Sequence, residues 1–233
     1  MKNLRIESAI LAVGLALLGV FIYYGISSLE KRDRFVSVRG LAEKEVKADR
    51  VIWPLTYKTV GNDLGTVYRN ISAANKKIAA FLTRNGIKAS DITTGAPQVT
   101  DLWTDTYNDN RNRERYNATS VTTVSSSDVD RVRALMTRTG ELLSEGIAIA
   151  PNDYSSRIQF DFTSLNKIKP QMIEQATKNA REAAEKFARD SESRLGKIKK
   201  AQQGLFSIED RDSNTPYIKE VRVVTTVDYY LDN

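Results

Sequence analysis

The sequence predicts an α+β domain of mixed or antiparallel sheets with helices packed on one face, carried behind one N-terminal transmembrane helix. Three observations predict it. Residues 9–26 read AILAVGLALLGVFIYYGI without a charge, and at ~1.5 Å of rise per residue such a helix covers about 27 Å, close to the hydrocarbon thickness of a bilayer. After Glu30 the chain turns polar, and short runs that alternate with period two are interleaved with runs of helical period. Two pairs of the alternating runs lie close enough in sequence to form hairpins, which fits antiparallel or mixed sheets better than a doubly wound parallel one.

The apolar stretch is read as part of a signal anchor over 9–29, with Ala9, Leu17 and Ile26 marking the start, middle and end of its uncharged run, behind a cytoplasmic N-terminus of 1–8. A cleavable signal peptide has an apolar region of ~7–15 residues and a small-x-small site. This stretch is longer, and Gly25-Ile26-Ser27 is only a passable site. Tyr23 and Tyr24 fall where an interfacial aromatic belt belongs. Lys2 and Arg5 hold the N-terminus inside, and long C-terminal domains translocate despite charges such as Lys31, Arg32 and Arg34. The main domain is therefore expected outside the cytoplasm. A cleaved signal peptide and a helix buried in a soluble domain are the competing readings.

Beyond a charged stalk at 30–34, the run from Phe35 to Gly40 alternates and reads as a strand ending at glycine. Glu43 to Tyr57 continues in strand character, with Val51, Trp53, Leu55 and Tyr57 on one face. Pro54 lacks an N–H, so this strand is expected at an edge or bulged. Asn62 or Asp63 caps a helix carrying Leu64, Val67, Tyr68, Ile71, Ala74, Ile78, Phe81 and Leu82, stopped by Gly86. Gln98–Thr104 and Arg115–Val124 form a long hairpin whose tip, Asp105 to Arg115, has no aliphatic residue and is expected to be mobile.

Ser127-Asp128 opens a second helix, which Gly140 interrupts. Ile147–Ala150 and Arg157–Thr163 are strands. The longest helical run starts near Asn166 or Lys167 and reaches Leu195, with Pro170 in its first turn. Its inward stripe is Met172, Ala176, Ala180, Ala183, Ala184, Phe187 and Ala188. Two last strands cover Lys197–Ser207 and Glu220–Leu231. Residues 35–233 form one domain or two subdomains, 35–146 and 147–233.

With no Cys and no His, the chain has no catalytic triad, no thiol nucleophile, no Cys/His zinc site and no disulfide. Carboxylate or lysine chemistry, oxygen-ligated Ca²⁺ or Mg²⁺, and binding without catalysis remain. The net charge is +6, with 35 basic and 29 acidic residues well mixed. That pattern points away from nucleic acid, while a mildly basic surface suits contact with anionic lipid headgroups.

At this point the order of segments resembles a known family. Val36-Ser37-Val38-Arg39-Gly40-Leu41-Ala42-Glu43 is similar to the start of the SIMPL domain, where V-x-G-x-G/A-E precedes a strand, and Glu45 to Val51 matches its continuation. Gly86-Ile87 with Asp91-Ile92-Thr93-Thr94 looks like its G-I…D-I-x-T step, and Tyr116-Asn117-Ala118 its Y-x-A segment. Ala180 to Ala188 resembles its alanine-rich helix, followed by Leu195-Gly196-Lys197-Ile198. Arg39 stands where the family has a small residue, and Asp190-Ser191-Glu192-Ser193 lacks the family's glycine. The resemblance implies a self-assembling bacterial envelope protein, here single-pass in the inner membrane with its domain in the periplasm. It brings no catalytic motif and suggests a link to oxidative or envelope stress.

Each candidate for chemistry has a plainer use. Asp105, Asp109 and Glu114 with Asn108 and Asn110 offer oxygen ligands, but they lack a turn glycine and are crowded by Arg111, Arg113 and Arg115, unlike a calcium loop. Asp161 between Phe160 and Phe162 reads as an outward strand residue. Trp53, Trp103, Tyr57, Tyr107 and Tyr116 suit core packing before a sugar- or lipid-binding surface. The expectation is thus a non-enzyme without metal or cofactor that forms a homo-oligomer. The interface is placed on an edge strand at Val221, Val223, Thr225, Val227 and Tyr229. A ligand-binding module for headgroups or glycans is the alternative, and a hydrolase with two converging carboxylates the third reading.

Overall fold

The computed structural model describes residues 2–30, 34–104, 114–151 and 157–232, and within the first helix the side chains of 8 and 10–25. Among them are five α-helices and nine strands in two antiparallel sheets, an α+β fold. The elements are α1 (Lys2–Glu30), β1 (Phe35–Lys47), β2 (Arg50–Gly61), α2 (Leu64–Arg84), β3 (Ile92–Thr94), β4 (Gln98–Asp101), β5 (Tyr116–Ser126), α3 (Val129–Met136), α4 (Gly140–Ser144), β6 (Gln159–Asp161), α5 (Leu165–Asp190), β7 (Arg194–Gln203), β8 (Ser207–Asp210) and β9 (Ile218–Asp232).

The chain divides into two compact units, and the division is not the expected split at 146. One gathers Met1–Lys44, Asn166–Ser207 and Val221–Asn233, the other Glu45–Leu165 and Ile208–Glu220. Among the described residues no helix is long and apolar enough to cross a membrane. The uncharged run of the expected span starts and ends on Ala9 and Ile26, whose side chains lie outside the described residues.

In the first unit the strand order is β1-β9-β7. α5 lies on this sheet through Met172, Ala176, Ala180, Ala184 and Ala188, all buried. A four-residue step advances ~400°, so this stripe drifts about 40° per step. Phe187 falls off its flank and is 59% exposed, contrary to the expected inward stripe. The helix begins at Leu165, which puts Pro170 past its first turn. β1 runs straight through Gly40 instead of ending there. A Cβ at Gly40 would lie inside the backbone of Ala176 and Ala180, so the glycine admits the helix. α5 ends at Asp190 because Glu192 turns left-handed (φ 53), at the stretch where the family's glycine is missing.

β9 is therefore an inner strand. Val221, Val223, Thr225, Val227 and Tyr229 are buried, from 0% to 4% exposed, with Val227 and Tyr229 packed on Val38, Ala180 and Ala184. The five residues expected to form a subunit interface are core, because β1 and β7 take both edges of their strand. The actual edges are guarded. β7 carries Lys197, Lys199 and Lys200, and Asn179 Nδ2 donates to the Leu41 carbonyl of β1 at 2.7 Å.

In the second unit the order is β3-β5-β2-β6, with β4 also on β5. β2 and β5 pair without interruption from Val51↔Ser126 to Gly61↔Tyr116, so Pro54 sits neither on an edge strand nor in a bulge. It is tolerated because β6 covers only Arg50 to Ile52 and the next bridge on that side is Tyr57↔Ile149. Asp63 Oδ1 accepts from the Thr66 amide and caps α2. Ala74, Ile78, Phe81 and Leu82 of that helix meet Val51, Trp53, Leu55 and Val124. Leu64 and Tyr68, expected inward, are exposed on the flank. Asp128 caps α3, whose Val129, Val132 and Leu135 complete the core. The expected strand at 147–150 is reduced to the Ile149 bridge. Nearly all of the expected hairpin tip, 105–113, lies outside the described residues.

Candidate functional site

Alternation along β2 gives its two faces different work. Val51, Trp53 and Leu55 enter the core; Ile52, Pro54, Thr56 and Lys58 turn the other way. The antiparallel register sets Thr123 beside Pro54, Val121 beside Thr56 and Thr119 beside Lys58. These residues floor a groove of about 700 Å³. Gly95, Ala96 and Gln98, where the chain passes from β3 to β4, wall one side. Arg157 and Gln159 wall the other, with Gln159 registered on Ile52.

The groove is mixed in character. Ile52, Pro54 and Val121 supply apolar surface; three threonines and two glutamines supply hydrogen-bonding groups. Its charges are Lys58 and Arg157, and none of the described lining residues is acidic. Thr56 is 6% exposed, and its Oγ1 is buried without a hydrogen-bond partner. A buried hydroxyl left unpaired costs ~1–3 kcal/mol, so such a group asks for an explanation.

Several carboxylates of this unit are engaged elsewhere. Asp49 is held below the ordinary carboxylate range: partial burial pushes it up, but hydrogen bonds from Thr163 and Ser164 more than offset that. Asp101 is lowered by its two-pronged contact with Arg115, whose Nε and Nη2 lie 3.0 and 2.8 Å away. The same guanidinium stands over Tyr116 and Trp103 at 4.9 and 5.6 Å. Asp212 is pulled down to about 2 by the Thr215 hydroxyl and Arg211. Asp161 pairs with Arg50 at 2.8 Å, the outward role expected for it. Such acids serve as caps and ties; a general acid needs its pKa raised instead. Among the described residues no group of three or more acidic side chains could hold a metal ion.

Of the residues singled out in the sequence, Trp53 is core, and Trp103 and Tyr116 flank Arg115. Tyr107 and the calcium-loop candidates other than Glu114 lie outside the described residues. Leu17 is exposed on α1. Thr56, Lys58 and Arg157 carried no motif. The signal that could have found them is the second face of β2, where a strand with Pro54, Thr56 and Lys58 opposite a full apolar face must present them to something other than the core.

No curated protein sequence matches the chain. The sequence pattern of the SIMPL family, described as a protein of unknown function (DUF541), matches residues 36–228, from the second residue of β1 to Asp228 in β9. With that match spanning both sheets and the helices laid on them, the chain belongs to the SIMPL family.

Proposed function

We propose that the chain is a single-pass, membrane-anchored structural and interaction module of the bacterial inner membrane, with its α+β part in the periplasm, and that it works as a homo-oligomer without catalysing a reaction. One observation carries the reading: the described side chains of α1 are exposed all round. Ile10 is 67% exposed and Phe21 73%, with Leu11, Leu15, Leu17 and Leu18 between them. A helix that packs on a domain buries an apolar stripe, and one that is apolar on every side needs lipid or protein around it.

Anchoring confines copies to two dimensions and raises their effective concentration, which favours assembly through modest contacts. The contacts would lie outside the Val221–Tyr229 face, which is already spent on the core. A mildly basic surface allows contact with anionic headgroups, and a place in tolerance of oxidative or envelope stress follows from the family likeness. The full chain should resist carbonate extraction from membranes and be cut by protease added to spheroplasts. Light scattering of the detergent-extracted protein should give more than one copy per particle. A mature chain beginning at Ser28 would defeat the anchor, and a strict monomer at tens of micromolar would defeat the assembly.

A further inference from the structure

We infer that the groove on the outer face of the β2–β5 ladder binds a small anion carrying an apolar group, a carboxylate or phosphate monoester with a short chain or ring. The site stands whether or not the protein is anchored or assembled. Three observations point the same way. The groove's volume of about 700 Å³ falls in the range of small-molecule sites. Its charged lining is cationic, from Lys58 and Arg157, with no acid among the described residues that form it. And the Thr56 hydroxyl, more than nine-tenths buried, lines the groove with no partner for its hydrogen.

The strand geometry brings these together. Lys58 follows Thr56 by two residues on the same face, a rise of about 7 Å. Gln159 is registered on Ile52 in an antiparallel pair, so the chain direction carries Arg157 toward Pro54, on the other side of Thr56. Lysine and arginine side chains reach about that far. An anion seated over Thr56 can therefore accept from its hydroxyl and from the Lys58 ammonium, with Arg157 adding positive charge to the wall. The same ligand would lay its apolar part on Ile52, Pro54 and Val121. Charge supplies orientation, and the apolar strip selects against bare phosphate.

Hexyl phosphate, hexanoate, inorganic phosphate and hexylammonium are the probes, titrated by calorimetry into the full chain in phosphatidylcholine nanodiscs. Hexyl phosphate and hexanoate should bind. Phosphate should bind at least tenfold more weakly, and hexylammonium not at all. Lys58→Gln should weaken hexyl phosphate about tenfold, the scale of one charge-assisted hydrogen bond, while the far-ultraviolet spectrum stays unchanged. Thr56→Val should weaken it severalfold without lowering the melting temperature, an effect that a purely structural threonine would not give. Repeating the titration in nanodiscs rich in phosphatidylglycerol separates two sources of the same chemistry. Loss of hexyl phosphate binding there names a lipid headgroup as the occupant, and unchanged binding names a free small anion. Absence of binding to both organic anions, equal binding of hexylammonium, or indifference to Lys58→Gln would each overturn the site.

Discussion

In the second unit α2 lowers Ile78, Phe81 and Leu82 onto Trp53 and Leu55; in the first, α5 lowers alanines onto Val38, Val227 and Tyr229. Both units lay a long helix on a face of an antiparallel sheet, yet the gap is filled by side chains in one and nearly closed by backbone in the other. A large-residue interface gains stability from buried area and suffers from cavities. A small-residue interface depends on close approach and suffers from any added atom.

The first unit should therefore break on insertion. Gly40→Ala places a methyl against the backbone of α5 at Ala176 and Ala180, which cannot rotate away. The expected cost is about 5 kcal/mol, at the upper end for point changes, read by urea denaturation. Its counterpart in the second unit is Gly61→Ala, whose Cβ would meet only the Val67 Cγ2 methyl at 2.9 Å. A side chain can give, so that change should cost no more than ~1–2 kcal/mol. Equal costs would remove the distinction between the two interfaces.

The second unit should break on deletion. Phe81 is fully buried, and Phe81→Ala should cost about 3–5 kcal/mol through lost transfer energy and the cavity left behind. Ala184→Gly in the first unit removes one methyl and a good helix former, for about 1–2 kcal/mol.

The units should also differ in how pH reaches them. Asp49, Asp63, Asp101, Asp128 and Asp212, all in the second unit, are held below their ordinary value of 3.8, Asp49 against the desolvation that raises it. A lowered folded-state pKa gives stability that is present above 3.8 and lost as pH falls through the folded value, near about 2 for Asp212. Tyr229 of the first unit is raised by burial above 10.0. Its contribution is whole below that value and lost as the phenol ionises at higher pH. Acid should release the amides of Thr163 and Ser164, which donate to Asp49, in hydrogen exchange, and Asp49→Asn should flatten that acid limb. Alkali should first release β9. The same element opening at both extremes would contradict the assignment.

Much of this contrast was legible in the sequence. The stripe of Ile71, Ile78, Phe81 and Leu82, the cap at Asp63 and the alanines of the long helix follow from 3.6-residue periodicity, and they lie where that period puts them. What failed was neighbourhood. Whether Val221 to Tyr229 lie at an edge depends on which strands flank them, and alternation is the same for an inner and an outer strand. Pro54 misled for a related reason: a central strand can be uncovered over three residues. The groove stayed hidden because it is made of ordinary residues, Thr56, Lys58 and Arg157, brought together by register instead of by a motif.

Helix endings extend the comparison at smaller scale. In the second unit the chain leaves α2 and α4 through Gly86 (φ 86) and Gly146 (φ 78), but in the first it leaves α5 through Glu192 (φ 53). A side chain in the left-handed region costs about 1 kcal/mol that glycine avoids. Glu192→Gly should therefore raise stability by up to ~1 kcal/mol in urea, the reverse of most substitutions. A loss would mean that the glutamate side chain compensates through a contact of its own.

The smallest effect concerns two buried threonines, one in each unit. Thr225 Oγ1 in β9 and Thr56 Oγ1 in β2 both lack a partner, and Thr225 is 4% exposed. Thr225 is enclosed on the core face of an inner strand, so its unpaired hydroxyl has no ligand to meet. Replacing it by a shape-matched methyl relieves desolvation without opening a cavity, and Thr225→Val should raise stability by about 0.5 kcal/mol or more. Thr56→Val should raise the stability of the unliganded protein by a similar amount and, alone of the pair, weaken hexyl phosphate. Denaturation curves for the two variants with and without that probe separate a hydroxyl kept for a ligand from one that is merely buried. If Thr225→Val lost stability, its hydroxyl would have to be bonded in solution. If both variants responded to the probe alike, the groove would have no special claim on Thr56.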